Sequence, residues 1–241
     1  MKSVWLIARR ELVATLRSPL GFIVAALVLA ADGLLFNVRA LGGGASLSTD
    51  VISQFFFDLS GLTMIACIPV SMRLLAEERQ SGTITLLLTS PVRDYQIVLG
   101  KYLGALIFMA MLTLATVYMP LLVLVLGKVS WGHVFAGYLG TLLLASGCLA
   151  IGLFGSSLAR SQIVAVFVSV FLLAAMVLMW LLAKVTDKPL TDVFAYLALH
   201  NIHFFSFKGG KIHLRDIVYY VSVTTFFLFA ATRMLESRRW R

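Results

Sequence analysis

Apolar residues run through this chain in long blocks separated by short polar islands, without the alternation of half-buried strands. Blocks of about 18 or more such residues read as membrane-crossing helices. Six reach that length, at roughly 20–41, 57–75, 101–126, 134–158, 163–183 and 217–235. The pattern predicts an all-α integral membrane protein of six transmembrane helices, with residues 1–241 forming a single domain. Two long polar stretches interrupt it. One is Arg73 to Lys101, RLLAEERQSGTITLLLTSPVRDYQIVLGK; the other is 184–216.

Ahead of the first span, residues 1–18 read as an amphipathic helix lying on the bilayer. At about 100° per residue, Val4, Trp5, Ala8, Leu12 and Leu16 share one face. Lys2, Arg9, Arg10 and Arg17 gather on the other, diluted by Leu6 and Val13. Trp at the interface and a basic face toward anionic headgroups suit that placement. An ordinary basic flank of the first span is the plainer alternative. A cleaved signal peptide fits less well, because the apolar run is long and no A-x-A site follows it. Asp32 is the unusual residue of span 1. Counted from Leu20, it sits about 18 Å into a core of about 30 Å, where a carboxylate must face protein or water. Alternatively the helix ends early, and Asp32 meets the outer interface beside Asn37 and Arg39.

Further along, Gly42–Gly44 marks a loop, and Pro120 predicts a tolerated kink in span 3. Span 4 is rich in small residues. Pairs such as Ala136/Gly140 and Gly152/Ser156 let helices approach closely, within one subunit or between two. The stretch 194–207 carries Phe194, Tyr196, Phe204, Phe205 and Phe207. It reads either as a hairpin dipping back into the outer leaflet or as a docking surface for an extracytoplasmic subunit.

Composition agrees with the pattern. The chain is 60% hydrophobic and only 13% charged, against about 25% charged for soluble domains. Cys67 and Cys148 fall inside separate apolar blocks and read as small hydrophobes. The net charge of +9 is explained by membrane orientation, not nucleic acid. If both termini, the 73–101 loop and the Arg160 turn share one side, that side holds thirteen of the twenty basic residues. Five of the other seven lie in the single long loop 184–216. The positive-inside rule then predicts cytoplasmic termini, with 184–216 outside.

Catalytic patterns fail one by one. The sequence contains no H-E-x-x-H, G-x-S-x-G or C-x-x-C. An intramembrane serine protease would need glycine where Leu144 stands and a histidine in span 6. His200 and His203 are spaced i, i+3, with His213 as a conceivable third metal ligand, but histidines beside aromatics at a surface are the commoner arrangement. We expect no bound metal. Lysines follow glycine at Gly100-Lys101, Gly127-Lys128 and Gly210-Lys211, without the Ser/Thr that a phosphate loop requires. No cofactor is expected on this chain, and any ATP and Mg²⁺ would belong to a partner.

The run Glu77-Glu78-Arg79-Gln80-Ser81-Gly82-Thr83-Ile84-Thr85-Leu86-Leu87-Leu88-Thr89-Ser90-Pro91, followed by Gly100-Lys101, resembles the first cytoplasmic loop of ABC-2-type ABC transporter permeases. The six spans, the N-terminal interfacial helix and the missing ATPase domain extend the resemblance over the whole chain. Thr85 departs from it, since the family often has an acid there. His203-Phe204, Phe207, Gly210, Ile212, Asp216, Tyr219-Tyr220 and the ending Leu235-Glu236-Ser237-Arg238-Arg239-Trp240 are similar to a narrower branch. That branch comprises the gliding-motility-associated permeases and their nitrous-oxide-reductase-maturation relatives.

Physically, Gly82 would break the helix carrying the acids, Thr83 would cap a short helix through Leu88, and Ser90-Pro91 would end it. Leu86 to Leu88 need a groove, either in a partner or on this protein's own helices. The resemblance implies that this coupling helix enters a cleft of a separate ATPase subunit. Its contact residues would be Glu77, Glu78, Gly82, Thr83, Leu86, Leu87, Thr89, Ser90 and Pro91. It further implies a permease that pairs with a second copy or homologue in a bacterial inner membrane and forms a path lined by spans 1, 2 and 5. Asp32, Asn37, Tyr196, Phe204 and Phe207 are the candidate gate or pathway residues, and an extracytoplasmic auxiliary membrane protein is a further expected partner. A non-transporting scaffold or mechanotransmission subunit using the same ATPase is the alternative.

Overall fold

Local chemistry sets the first boundary. Ser18 Oγ accepts a hydrogen bond from the Gly21 N–H at 3.0 Å, and Pro19 stands in the first helical turn, where its missing N–H costs nothing. Helix α1 (Lys2–Arg17) ends at this elbow, and α2 (Pro19–Leu35) leaves it, continuing as a π-helical segment over Phe36–Leu41. There follow α3 (Ser48–Gln80), α4 (Asp94–Ala115), α5 (Tyr118–Leu126) and α6 (Trp131–Leu158). Then come α7 (Gln162–Val185), α8 (Leu190–Leu197), α9 (His203–Lys208) and α10 (Leu214–Arg239). The computed structural model describes residues 2–41, 48–82, 92–127, 129–188 and 190–239, and no strand occurs among them.

The all-α, six-span expectation holds: six helical stretches are long and apolar enough to cross a membrane. Helix boundaries exceed the predicted spans where a helix outruns the apolar core. α3 has 33 residues, about 50 Å of helix against about 30 Å of hydrocarbon, so the predicted 57–75 is only its middle. α4 likewise begins at Asp94, before Lys101. The kink expected at Pro120 is a break between α4 and α5. Pro120 has no N–H to offer the Thr116 carbonyl, and the Met119 N–H bonds it instead at 3.1 Å.

α1 is helical as expected, but its faces differ from the expectation. Ala8 and Thr15 are buried against protein, while Trp5 and Leu6 are exposed. The reason is α4. A Cβ on Gly100 would sit 2.7 Å from Ile7 Cβ, and one on Gly104 would sit 2.7 Å from the Ala8 carbonyl. These two glycines let the backbones of α1 and α4 nearly touch.

α6 is the axle of the bundle, packing against α3, α4, α7, α9 and α10. Of its apolar window 72% is buried, against 17% for α7. Its small residues serve packing within the subunit. Gly137 faces Phe56, Gly140 faces Phe207, and Gly152 faces Ser71. Ser156 Oγ is bonded into the α3 backbone, accepting from the Leu75 and Ala76 N–H groups and donating to the Met72 carbonyl. Both predicted small-residue pairs thus lie on contacts inside the chain.

α8 lies against α7 with none of its residues buried, and residues 198–208 then fold back between the crossing helices. The irregular link 198–202 needs its backbone polar groups satisfied if it is to lie inside a bundle, and neighbours supply them. The Leu199 N–H donates to the Met176 carbonyl, while Tyr219 and Tyr220 hydroxyls donate to the Leu197 and Leu199 carbonyls. Met176 lies nine residues inside the end of α7, about 14 Å along the helix. The link therefore packs against α7 and α10 within the chain.

Candidate functional site

At the foot of α3, on the end of the bundle that holds α1 and the last turn of α10, charged side chains gather. The sequence LLAEERQ places Leu74, Leu75 and Glu78 on the buried face by helical spacing, while Glu77 points outward. Glu78 would be costly there alone. Lys101 Nζ, 3% exposed, lies 2.9 Å from Glu78 Oε1 and 2.9 Å from Glu11 Oε2. The Arg10 guanidinium reaches Glu78 at 3.8 Å. Lys101 offsets the two acids inside the junction, and Arg10, exposed at its rim, supplies the second positive charge. Each partner belongs to a different helix, so Lys101 ties α1, α3 and α4 together at one point.

A second set of contacts fixes the same end of α3 to its other neighbours. Arg73 Nε donates to Glu77 Oε2 at 2.9 Å, and Arg73 Nη1 donates to Ser18 Oγ at 2.7 Å, in the elbow between α1 and α2. Arg79 Nη1 donates to the Ala159 carbonyl at 2.8 Å, in the turn between α6 and α7. α3 then stops. Gly82 has φ +73°, the left-handed conformation that closes helices and that only glycine adopts without cost. Thr83, Leu86, Leu87, Thr89, Ser90 and Pro91 lie outside the described residues. The described chain resumes at Val92, and the Gln96 side chain accepts from the Arg93 N–H as α4 begins.

The Lys101 junction, the Arg73–Ser18 bond and the Arg79–Ala159 bond thus join the end of α3 to five other helices.

The predicted pathway residues do not come together as a set. Asp32 is 1% exposed and faces protein, so its helix does not end early; Asn37 is exposed. Tyr196 is 44% exposed, its ring edge-on to His203. Phe204 and Phe207 are fully buried core residues under α6. His200 and His203 are not surface residues either. His200 Nε2 bonds Ser60 Oγ at 2.8 Å; because Ser60 gives its hydroxyl proton to the Phe57 carbonyl at 2.7 Å, the imidazole is the donor. Burial pushes His200 below the ordinary histidine value. His203 is held at both ring nitrogens, by Asp216 at 2.8 Å and by the Tyr196 carbonyl at 3.0 Å.

Sequence reasoning missed Glu11 and the structural role of Lys101. The available signal was that Glu11 is the single acid in the first 31 residues, within an otherwise basic helix.

Compared with known proteins, a family model described as "ABC-2 family transporter protein" matches residues 45–237. No curated protein matches the chain.

Proposed function

Because this chain belongs to the ABC-2 transporter family and is the membrane permease component of an ABC transporter, we propose that it receives ATP-driven motion through the foot of α3. Family membership implies an ABC ATPase partner. In our reading that ATPase is a separate subunit bound on the cytoplasmic side, gripping the segment between Gly82 and Val92. Two permease copies, or one copy and a homologue, form the translocation path between them. Both termini are cytoplasmic by the balance of basic residues, in an inner membrane, and the hairpin 190–208 belongs to the outer side. The C-terminal likeness to gliding-motility-associated permeases makes that branch the preferred place for this chain.

The observation that carries this reading is the Glu11–Lys101–Glu78 junction. A surface helix anchored only to lipid needs no buried ion pair to a transmembrane helix. One that must move together with α3 and α4 does.

The test is purification from native membranes, followed by ATPase and transport assays on the assembled complex. A nucleotide-binding subunit should co-purify. Leu87→Asp should weaken its association, and Lys101→Met should leave association intact while lowering transport per ATP hydrolysed. If no nucleotide-binding subunit accompanies the chain and Leu87→Asp changes neither assembly nor activity, the reading fails.

A further inference from the structure

Between α2, α3 and α6, away from the junction at Lys101, sits a group of ionisable side chains that coupling does not use. Asp32 is 1% exposed, and neither of its carboxylate oxygens has a hydrogen-bond partner. It lies thirteen residues above Pro19, about 20 Å along α2. Asp58 of α3, 7% exposed, is near enough for the two charges to repel. Asp58 is already supplied: Arg39 Nη1 donates to it at 3.0 Å, and Gln54 Nε2 lies 3.2 Å from each of its oxygens. From α6, the Tyr138 hydroxyl pairs with Thr116 Oγ1 at 3.1 Å. From α5, Met119 approaches at Gly33 and brings no charge.

The site therefore holds two carboxylates and one guanidinium, and the guanidinium is committed to Asp58. An ionised carboxylate buried without a donor is among the least favourable arrangements in a protein, and a second acid nearby adds to the cost. We propose that Asp32 is a proton-binding site, occupied while α2 packs on α3, and that the Arg39–Gln54 clamp keeps the negative charge on Asp58. A proton fits better than a metal ion, since no group of three or more metal-ligating side chains forms among the described residues. Release of the proton places two negative charges opposite one half-exposed arginine. Either α2 parts from α3 or Arg39 leaves Asp58. Packing of the first span thereby depends on proton concentration on the side to which that seam opens.

The proposal does not rest on the transport reading, and its test needs no ATPase. Infrared spectra of the purified chain in lipid nanodiscs at neutral pH report protonated carboxyl groups through a C=O stretch that shifts in D₂O. Asp32→Asn, nearly isosteric, should remove one carboxyl's worth of that absorbance, and Asp32→Glu should restore it at a displaced frequency. Asp58→Asn frees Arg39 for Asp32 and should also abolish the Asp32 band. Exchange of Na⁺ for K⁺ should leave the wild-type band unchanged. A wild-type minus Asp32→Asn difference spectrum without the band overturns the proposal. So does a band that disappears on addition of Na⁺, which would make the site a cation site. Persistence of the band in Asp58→Asn overturns the role given to the clamp.

Discussion

His203 Nδ1 lies 2.8 Å from Asp216 Oδ1, with both side chains wholly buried. The other ring nitrogen, Nε2, faces the Tyr196 carbonyl at 3.0 Å, and a carbonyl can only accept. Nε2 therefore carries hydrogen, and the His203–Asp216 contact needs one further proton, on either the ring or the acid. The pair holds the first turn of α9 to the first turn of α10, with the imidazole stacked on Tyr219 at 3.8 Å. Removing Asp216 leaves the buried His203 Nδ1 without its partner. Asp216→Ala should destabilise the protein by about 3–5 kcal/mol, whereas Asp216→Asn, which keeps a bond to a neutral ring, should cost less. Denaturant unfolding in detergent, with protease cleavage at 198–202 as a local probe, measures both. Equal stability of Asp216→Ala and wild type would remove the pair from the account of the hairpin.

His200 gives a pH dependence of definite sign. Burial holds the ring below its ordinary value of 6.5, so between the folded and unfolded values the unfolded chain binds more protons. Its contribution is fully present above about pH 6.5 and is lost as pH falls from there toward the folded value. Thermal unfolding midpoints should fall on acidification from pH 7 to pH 5 more steeply for wild type than for His200→Gln. Parallel curves would show that the Ser60 contact does not hold the ring neutral.

At the Lys101 junction the expectation concerns pairs. Lys101→Met leaves Glu11 and Glu78 buried without their common base, and should cost about 3–5 kcal/mol. Lys101→Met combined with Glu11→Gln and Glu78→Gln should recover most of that loss, because the one charge left without its partner, on Arg10, is exposed to solvent. A triple variant as unstable as the single one would mean that Lys101 acts through its aliphatic stem, not its charge.

Close contact between α3 and α6 predicts a steric rescue. A Cβ on Gly152 would meet Ser71 Oγ and Cβ, so Gly152→Ala should cost about 1–3 kcal/mol through overpacking. Ser71→Gly in the same chain should restore stability, as read by the unfolding midpoint. Independent, additive losses would place the strain elsewhere.

Gly82 isolates backbone from packing. A Cβ there meets nothing within 4 Å, yet φ is +73°. Gly82→Ala should cost about 1–2 kcal/mol at the end of α3, and Gly82→Asn should cost less, with the difference visible as amide exchange in Ser81 and Arg79.

The six crossing helices were legible because hydropathy reports what lipid demands of a segment, regardless of its neighbours. Gly82 as a stop and Pro120 as a distortion of its helix were legible for the same local reason: each is a property of one residue's backbone. What stayed hidden depends on pairing across the chain. Glu11 reads as part of a surface helix until Lys101, ninety positions away, is brought beside it. His200 and His203 look like interfacial histidines until Ser60 and Asp216 enclose them. Trp5 and Ala8 share a helical face by periodicity, but close approach at Gly100 and Gly104 decides which of them is covered.

The hairpin 190–208 also constrains the order in which the protein can be built. The Leu199 N–H finds its acceptor on Met176, already made, but the Leu197 and Leu199 carbonyls wait for Tyr219 and Tyr220, which emerge from the ribosome later. Until α10 is threaded into the membrane, those carbonyls lack their phenol donors and His203 lacks Asp216. The last span is thus the latch of assembly. A chain stalled before residue 216 would hold five crossings and a hairpin without its partners on α10.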